Sequence, residues 1–393
     1  MSDYGVRIYH ADGTYFDFNE RTTLCCVLGG GEAVSSRNNL SVKLDYVENF
    51  NTGIHIPEGY DWWLWCAISV QPQIGLIINT LNWGVWGFSE ATAYLDGNRN
   101  INIRWTLTDA TDGTGWVITN NIERLVGKWL SIPPTEFGVV TWPISSKRTY
   151  GIGIYGADTM SGVFDTSKVS YLLWKGEVDI YSGWGPHDIN PALNMNNCLC
   201  FFYNTDSDLS IGIDHAGKYK LWKDRHTYAG KARVKVCIFG NDNVIPARSE
   251  YGIEIWNPDT GKLVYNSGRD ALIKPQLVSM SQSVEMTLNT DGTVALYRNP
   301  VKTPGIRRPM YAPTNIGAGI GRFVYSDENY LMNIFYMWVS SDGYALRPAL
   351  GGQTYRAERY TYDKYSFYRH EMYKAGSNPV MVIDAEDYFL FPK

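Results

Sequence analysis

Tyr4-Gly5-Val6-Arg7-Ile8-Tyr9-His10-Ala11-Asp12-Gly13 returns as Tyr150-Gly151-Ile152-Gly153-Ile154-Tyr155-Gly156-Ala157-Asp158, and again as Tyr251-Gly252-Ile253-Glu254-Ile255-Trp256-Asn257-Pro258-Asp259-Thr260-Gly261. The shared pattern, Y-G-[VI]-x-I-[YW]-x-x-D, is an alternating apolar strand that runs into a turn. Each copy continues into a second strand with an aromatic residue: Tyr15-Phe16-Asp17-Phe18, Val163-Phe164-Asp165 and Leu263-Val264-Tyr265-Asn266. Strand, turn and strand predict a β-hairpin three times over. Asp tolerates left-handed backbone and caps its own turn, and Gly does so without steric cost, so the repeated Asp needs no chemistry to explain it.

The repeat is larger than a hairpin. Behind the first and third copies, at comparable spacing, come the period-two strands Ser41-Val42-Lys43-Leu44-Asp45-Tyr46 and Ser283-Val284-Glu285-Met286-Thr287-Leu288. Ile101–Thr108 and Arg233–Ile238 alternate in the same way, with one apolar and one polar face, as strands of sandwiches or barrels do. Helical signal is confined to Asn121–Leu130, where Gly127 weakens it. The expected class is all-β: three tandem β-sandwich-like modules at 1–146, 147–247 and 248–393, each opening with the hairpin.

Composition agrees with several domains in one chain, since 393 residues exceed what one core usually supports. With 44% hydrophobic and 19% charged residues the chain is too apolar for disorder, and its apolar stretches are too interrupted for a membrane bundle. A net charge of −5 without any run of Lys or Arg argues against nucleic acid as a partner. No charged region followed by an apolar stretch opens the chain, so synthesis and retention in a cytoplasm are expected. Six cysteines without CxxC or Cys/His spacing are expected to be reduced thiols packed as small hydrophobes.

Each catalytic or cofactor template fails on a particular residue. Asn315–Arg322 has glycines, but Arg322 stands where a dinucleotide loop needs its third, so a strand or bulge is expected; Gly29-Gly30-Gly31 lacks the Lys-Ser/Thr of a phosphate loop and is expected to be a loop. His370-Glu371 has Lys374 in place of the second zinc-binding histidine. Asn204-x-Asp206-x-Asp208 starts like a calcium loop, yet Leu209 replaces the glycine of its sharp turn. No catalytic, cofactor-binding or metal residue is assigned, and no enzymatic activity is expected.

The 28 Tyr and 14 Trp are the unusual supply. Trp62, Trp63 and Trp65 are candidates for a subunit interface or for stacking on sugar, as are Trp83, Trp86 and Trp184; the plainer alternative is that they fill cores. Tyr360, Tyr362, Tyr365 and Tyr368 lie in a Tyr/Arg-rich stretch of the kind that anchors interfaces, with an edge strand kept soluble by charge as the alternative.

Residues Tyr251-Gly252-Ile253-Glu254-Ile255-Trp256-Asn257 through Leu263-Val264-Tyr265-Asn266-Ser267 resemble the opening hairpin of β-rich tail-tip and tail-fibre proteins of tailed, siphovirus-like bacteriophages. Asn378–Asp384 resembles the hydrophobic strand that ends such a module. The second copy departs from the pattern, with Gly156 in place of Asn and a longer turn. The resemblance implies a structural virion component of the distal tail, made in the host bacterial cytoplasm and contributing to host attachment. Its implied partners are other tail proteins in a symmetric homo-oligomer, a trimer favoured, with a host-surface glycan or outer-membrane receptor beyond them. The alternatives are a carbohydrate-binding adhesin and, third, a glycan-degrading tail enzyme built on paired carboxylates.

Overall fold

The computed structural model describes residues 5–9, 15–19, 25–35, 47–76, 84–112, 132, 134–144, 151–155, 160–164, 169–214, 216–223, 226–227, 230–240, 254–256, 263–266, 270–273, 275–280, 284–288, 294–326, 329–359 and 370–392. Among them the fold is all-β, in antiparallel sheets, and the helical elements are the single 3-10 turns Pro186–Asp188 and Ala385–Asp387.

All three copies of the opening motif form two-stranded antiparallel sheets: Gly5–Tyr9 with Tyr15–Asn19, Gly151–Tyr155 with Met160–Phe164, and Glu254–Trp256 with Leu263–Asn266. A fourth hairpin pairs Val284–Leu288 with Val294–Arg298, so the strand expected there is present. Ser41–Tyr46 and Asn121–Leu130 lie outside the described residues.

The remaining strands follow one scheme. Cys26–Ala33, which opens the first segment, pairs with Thr135–Pro143, which closes it, and Tyr60–Cys66 adds a third strand. Tyr171–Tyr181 pairs likewise with Lys231–Gly240, flanked by Cys198–Tyr203. Gln276–Val278 pairs with Val380–Asp384, flanked by Pro309–Tyr311. The last two trios share a six-stranded sheet through the single pair Phe202↔Tyr311. A second shared sheet joins Leu209–Ile213 to Asn329–Ser341 at Ser210↔Ser340 and Ile211↔Val339. The boundary expected at 247/248 therefore separates lengths of chain but not sheets, because the strands on its two sides pair with each other.

Burial explains why these strands stay where they are. In Tyr60–Cys66 the period of two sends Trp63 and Trp65 to one face and Leu64 and Cys66 to the other. Leu64 and Cys66 join Ile101, Ile103, Trp105, Phe137 and Val139 in a core between this sheet and the four-stranded sheet of Val47–His55, Asn100–Asp112, Gly84–Leu95 and Val70–Leu76. Trp63 and Trp65 join the large central core with Phe201, Phe202, Phe239, Tyr311 and Val382. Val380–Asp384 is apolar and buried from Val380 to Ile383, as suits a strand with neighbours on both sides and side chains covering both faces.

Glycines make room in two places. Gly29-Gly30-Gly31 is not the expected loop but part of Cys26–Ala33. A bulge falls between Val27 and Gly29, Gly29 has φ +147°, and a Cβ on Gly30 would sit 2.3 Å from the Phe137 carbonyl oxygen. Gly317–Ser326 is a strand, as expected, and Gly319 lies directly opposite Phe335, whose ring occupies the space a Cβ would need.

Candidate interaction surface

Asp384 organises the end of the chain. Its carboxylate accepts the backbone N–H of Arg307 at 2.8 Å, of Arg308 at 3.3 Å and of Glu386 at 3.0 Å. This fixes two arginines beside the tail that follows the Ala385–Asp387 turn. Arg308 donates through Nε to Glu386 at 3.1 Å and through its terminal nitrogen to the Tyr203 hydroxyl at 3.3 Å. Its guanidinium carbon lies 4.4 Å from the centre of the Phe391 ring and 5.3 Å from that of Tyr344. Hydrogen bonding to Tyr203, and then to Glu386, raises the Arg308 pKa further above its already high value.

The neighbouring cation repeats the arrangement. The Lys235 ammonium lies 5.2 Å from the Phe389 ring centre and 5.5 Å from Phe391, and pairs with Glu177. The hydrogen bond from Lys235 holds the Glu177 carboxyl below its usual range. Tyr344 stands on a tight turn in which Asp342 accepts the N–H groups of Tyr344 and Ala345 at 2.9 and 2.8 Å. Gly343 in that turn has φ +89°, and its α-carbon packs so close to the Tyr203 hydroxyl that a Cβ would clash. Tyr344 is 65% exposed, Leu390 68% and the Arg307 side chain 82%. The result is an exposed Tyr/Leu/Arg surface, the composition that carries binding energy at protein interfaces.

The aromatic residues singled out in the sequence fall elsewhere. Trp63 and Trp65 are 2% and 1% exposed, and the Trp63 indole N–H donates to the Pro379 carbonyl at 3.0 Å, so both are core residues and not surface contacts. Trp184 is buried against Phe202 and Tyr219. Trp62 is partly buried against the core of the first segment. Tyr360, Tyr362, Tyr365 and Tyr368 lie outside the described residues, as does Trp83. The sequence did hold signals for the surface that was missed: the Arg307-Arg308 pair, and the turn-forming Asp342-Gly343 that lifts Tyr344 outward.

The polar motifs have local explanations. Asp206 accepts the Asp208 N–H at 3.0 Å and pairs with Lys223 at 2.9 Å, while Asn204 donates to the carbonyls of Asp206 and Leu209. His370-Glu371 begins the strand His370–Ala375. Among the described residues no group of three His, Cys, Asp or Glu side chains is placed to hold a metal ion. All six cysteines are free and buried, and burial pushes the Cys66 thiol up to about 11. A cleft walled by Ser69, Ser89, Trp105 and Thr135 has room for about one water molecule.

Residues 91–333 match the model of a family described as a family of unknown function, DUF6453. No curated protein and no solved structure matches the chain.

Proposed function

The chain belongs to this family of unknown function, DUF6453, whose model matches well over half of it, and we propose that it is a non-catalytic structural component of a phage tail. On this proposal it is made in the bacterial cytoplasm, assembles with other tail proteins at the distal tail and contributes to attachment, with a host glycan or outer-membrane receptor beyond. The observation that carries the proposal is the Tyr344–Leu390–Arg307 surface. Tyr344 is presented there by a capped turn and packs with Phe391 around Arg308, while Arg307 and Leu390, each next in sequence to a member of that cluster, are exposed, and such an arrangement suits a subunit contact. The folding of every Y-G copy as a hairpin supports the resemblance to tail-tip and tail-fibre proteins.

We read the fold further as three tandem β-sandwich-like modules divided near 146 and 247. In support, the opening strand of each segment pairs with its closing strand. The adhesin alternative draws less support, because Trp63, Trp65 and Trp184, three of its candidate sugar platforms, lie in the core.

Mass spectrometry of tailed particles purified from a lysate, followed by infection with particles carrying Arg307→Ala, Tyr344→Ala and Leu390→Ala together, tests the proposal. Stoichiometric presence in the particles and a loss of assembly or attachment in the triple variant are expected. Absence from purified particles, or full function of the variant, would overturn it.

A further inference from the structure

Three backbone groups close a ring at the centre of the molecule. Cys25 N–H donates to the Leu272 carbonyl at 3.1 Å, Leu272 N–H to the Ser170 carbonyl at 2.9 Å, and Ser170 N–H to the Cys25 carbonyl at 2.8 Å. All three residues are completely buried. Each donates to one neighbour and accepts from the other in the same sense, as three copies related by a threefold axis must.

The sequence repeat has the same register. Cys25, Ser170 and Leu272 stand 21, 20 and 21 residues after Tyr4, Tyr150 and Tyr251, and each stands six after the last residue of its hairpin, Asn19, Phe164 or Asn266. The correspondence continues beyond the ring. Cys26–Ala33 and Tyr171–Tyr181 both start one residue after it, and their pairing shifts at equivalent places, Val27/Gly29 and Leu172/Trp174. In all three segments the opening strand pairs with the closing strand, and the closing strand with one intermediate strand.

Six residues span at most about 20 Å, so every hairpin is tethered close to the axis. The second and third hairpins touch. Each is a sheet of only two strands, with no further strand on either outer edge among the described residues. Two-stranded sheets are marginal alone, and open edges are where another chain adds a strand.

We infer that the chain is a covalent trimer, three copies of one module about a pseudo-threefold axis through Cys25, Ser170 and Leu272, whose three hairpins dock one homotrimeric protein. Each copy of that partner adds an extended strand to one hairpin. On this inference, threefold symmetry between segments of one chain takes the place of the symmetric homotrimer that the resemblance implied. A partner with three identical copies fills three equivalent sites at once, and linked sites reinforce each other; a single-copy partner would leave two hairpins idle. The identity of the partner as a tail protein rests on the proposal above, whereas the axis does not.

The test is the number of chains per purified tail, measured by mass spectrometry against labelled peptide standards, for the parent chain and for Ile8→Pro, Ile154→Pro and Ile255→Pro. Proline removes a strand N–H and so disfavours strand pairing at the hairpin, while an unchanged melting temperature shows that the core holds. One chain per tail is expected, with each variant lowering incorporation by about tenfold and the three alike to within about threefold. Three or more chains per tail, or a loss confined to one hairpin, would overturn the threefold docking and leave the tail assignment standing. Absence of the chain from tails would overturn the tail assignment and the partner with it.

Discussion

Ser170 does two things at the axis, and one can be removed without the other. Its backbone belongs to the three-residue ring, and its hydroxyl oxygen accepts the Val27 N–H at 2.7 Å, across 143 residues of sequence. Both residues are buried, Ser170 at 0% and Val27 at 2% exposure, so water cannot replace the lost acceptor in Ser170→Ala. Leaving a buried N–H unpaired costs about 1–3 kcal/mol, whereas a hydroxyl facing solvent would cost next to nothing. About 2 kcal/mol is expected, and Ser170→Thr should recover part of it, since the oxygen returns but a methyl group must be fitted into a filled site. Urea unfolding followed by tryptophan fluorescence measures the change. Gly97→Ala serves as the control: a Cβ there meets nothing within 4 Å, so a change within about 0.5 kcal/mol is expected. Because the ring joins all three segments, the Ser170→Ala loss should move the whole transition. Stability within about 0.5 kcal/mol of the parent would refute the reasoning.

Gly212 and Gly351 both lie against the Trp338 ring, where a Cβ would come within 2.0 and 2.1 Å of it. Gly212→Ala should therefore destabilise by about 1–3 kcal/mol by overpacking, and the change should be much smaller in a Trp338→Leu background, as a double-mutant cycle in urea would show. Trp63→Ala should cost about 3–5 kcal/mol, as for a core aromatic, and a melting curve like that of the parent would instead place Trp63 at the surface. Glu136 lies directly opposite Glu32, and burial, together with that neighbouring charge, raises its pKa. The folded state then binds the proton more tightly than the unfolded one. Stability should fall as pH rises from the ordinary glutamate range through the raised value, and Glu136→Gln should remove that part of the decline in melting temperature.

The hairpins were legible because their signal is local: alternation, turn residues and an aromatic return strand lie within 20 residues of each other. Gly29-Gly30-Gly31 misled because a glycine run usually marks a loop, and only the close approach of the Phe137 carbonyl explains it in a strand. Trp62–Cys66 is legible as a buried strand from its lack of charge, but a strand buried on both faces shows no polar alternation, so the side that receives Trp63 and Trp65 depends on distant Pro379 and the central core. The seams Phe202↔Tyr311 and Ser210↔Ser340 pair residues more than 100 positions apart and leave no periodic trace. The Tyr344–Arg308–Phe391 cluster is likewise assembled from three separate stretches, so its members carry no common spacing.

The mass of the purified chain, measured by light scattering from low to high micromolar concentration at near-physiological salt, tests most directly whether the threefold symmetry is internal. A covalent trimer should remain at 44.5 kDa throughout. A stable particle of three times that mass would place the symmetry between chains and contradict the internal axis.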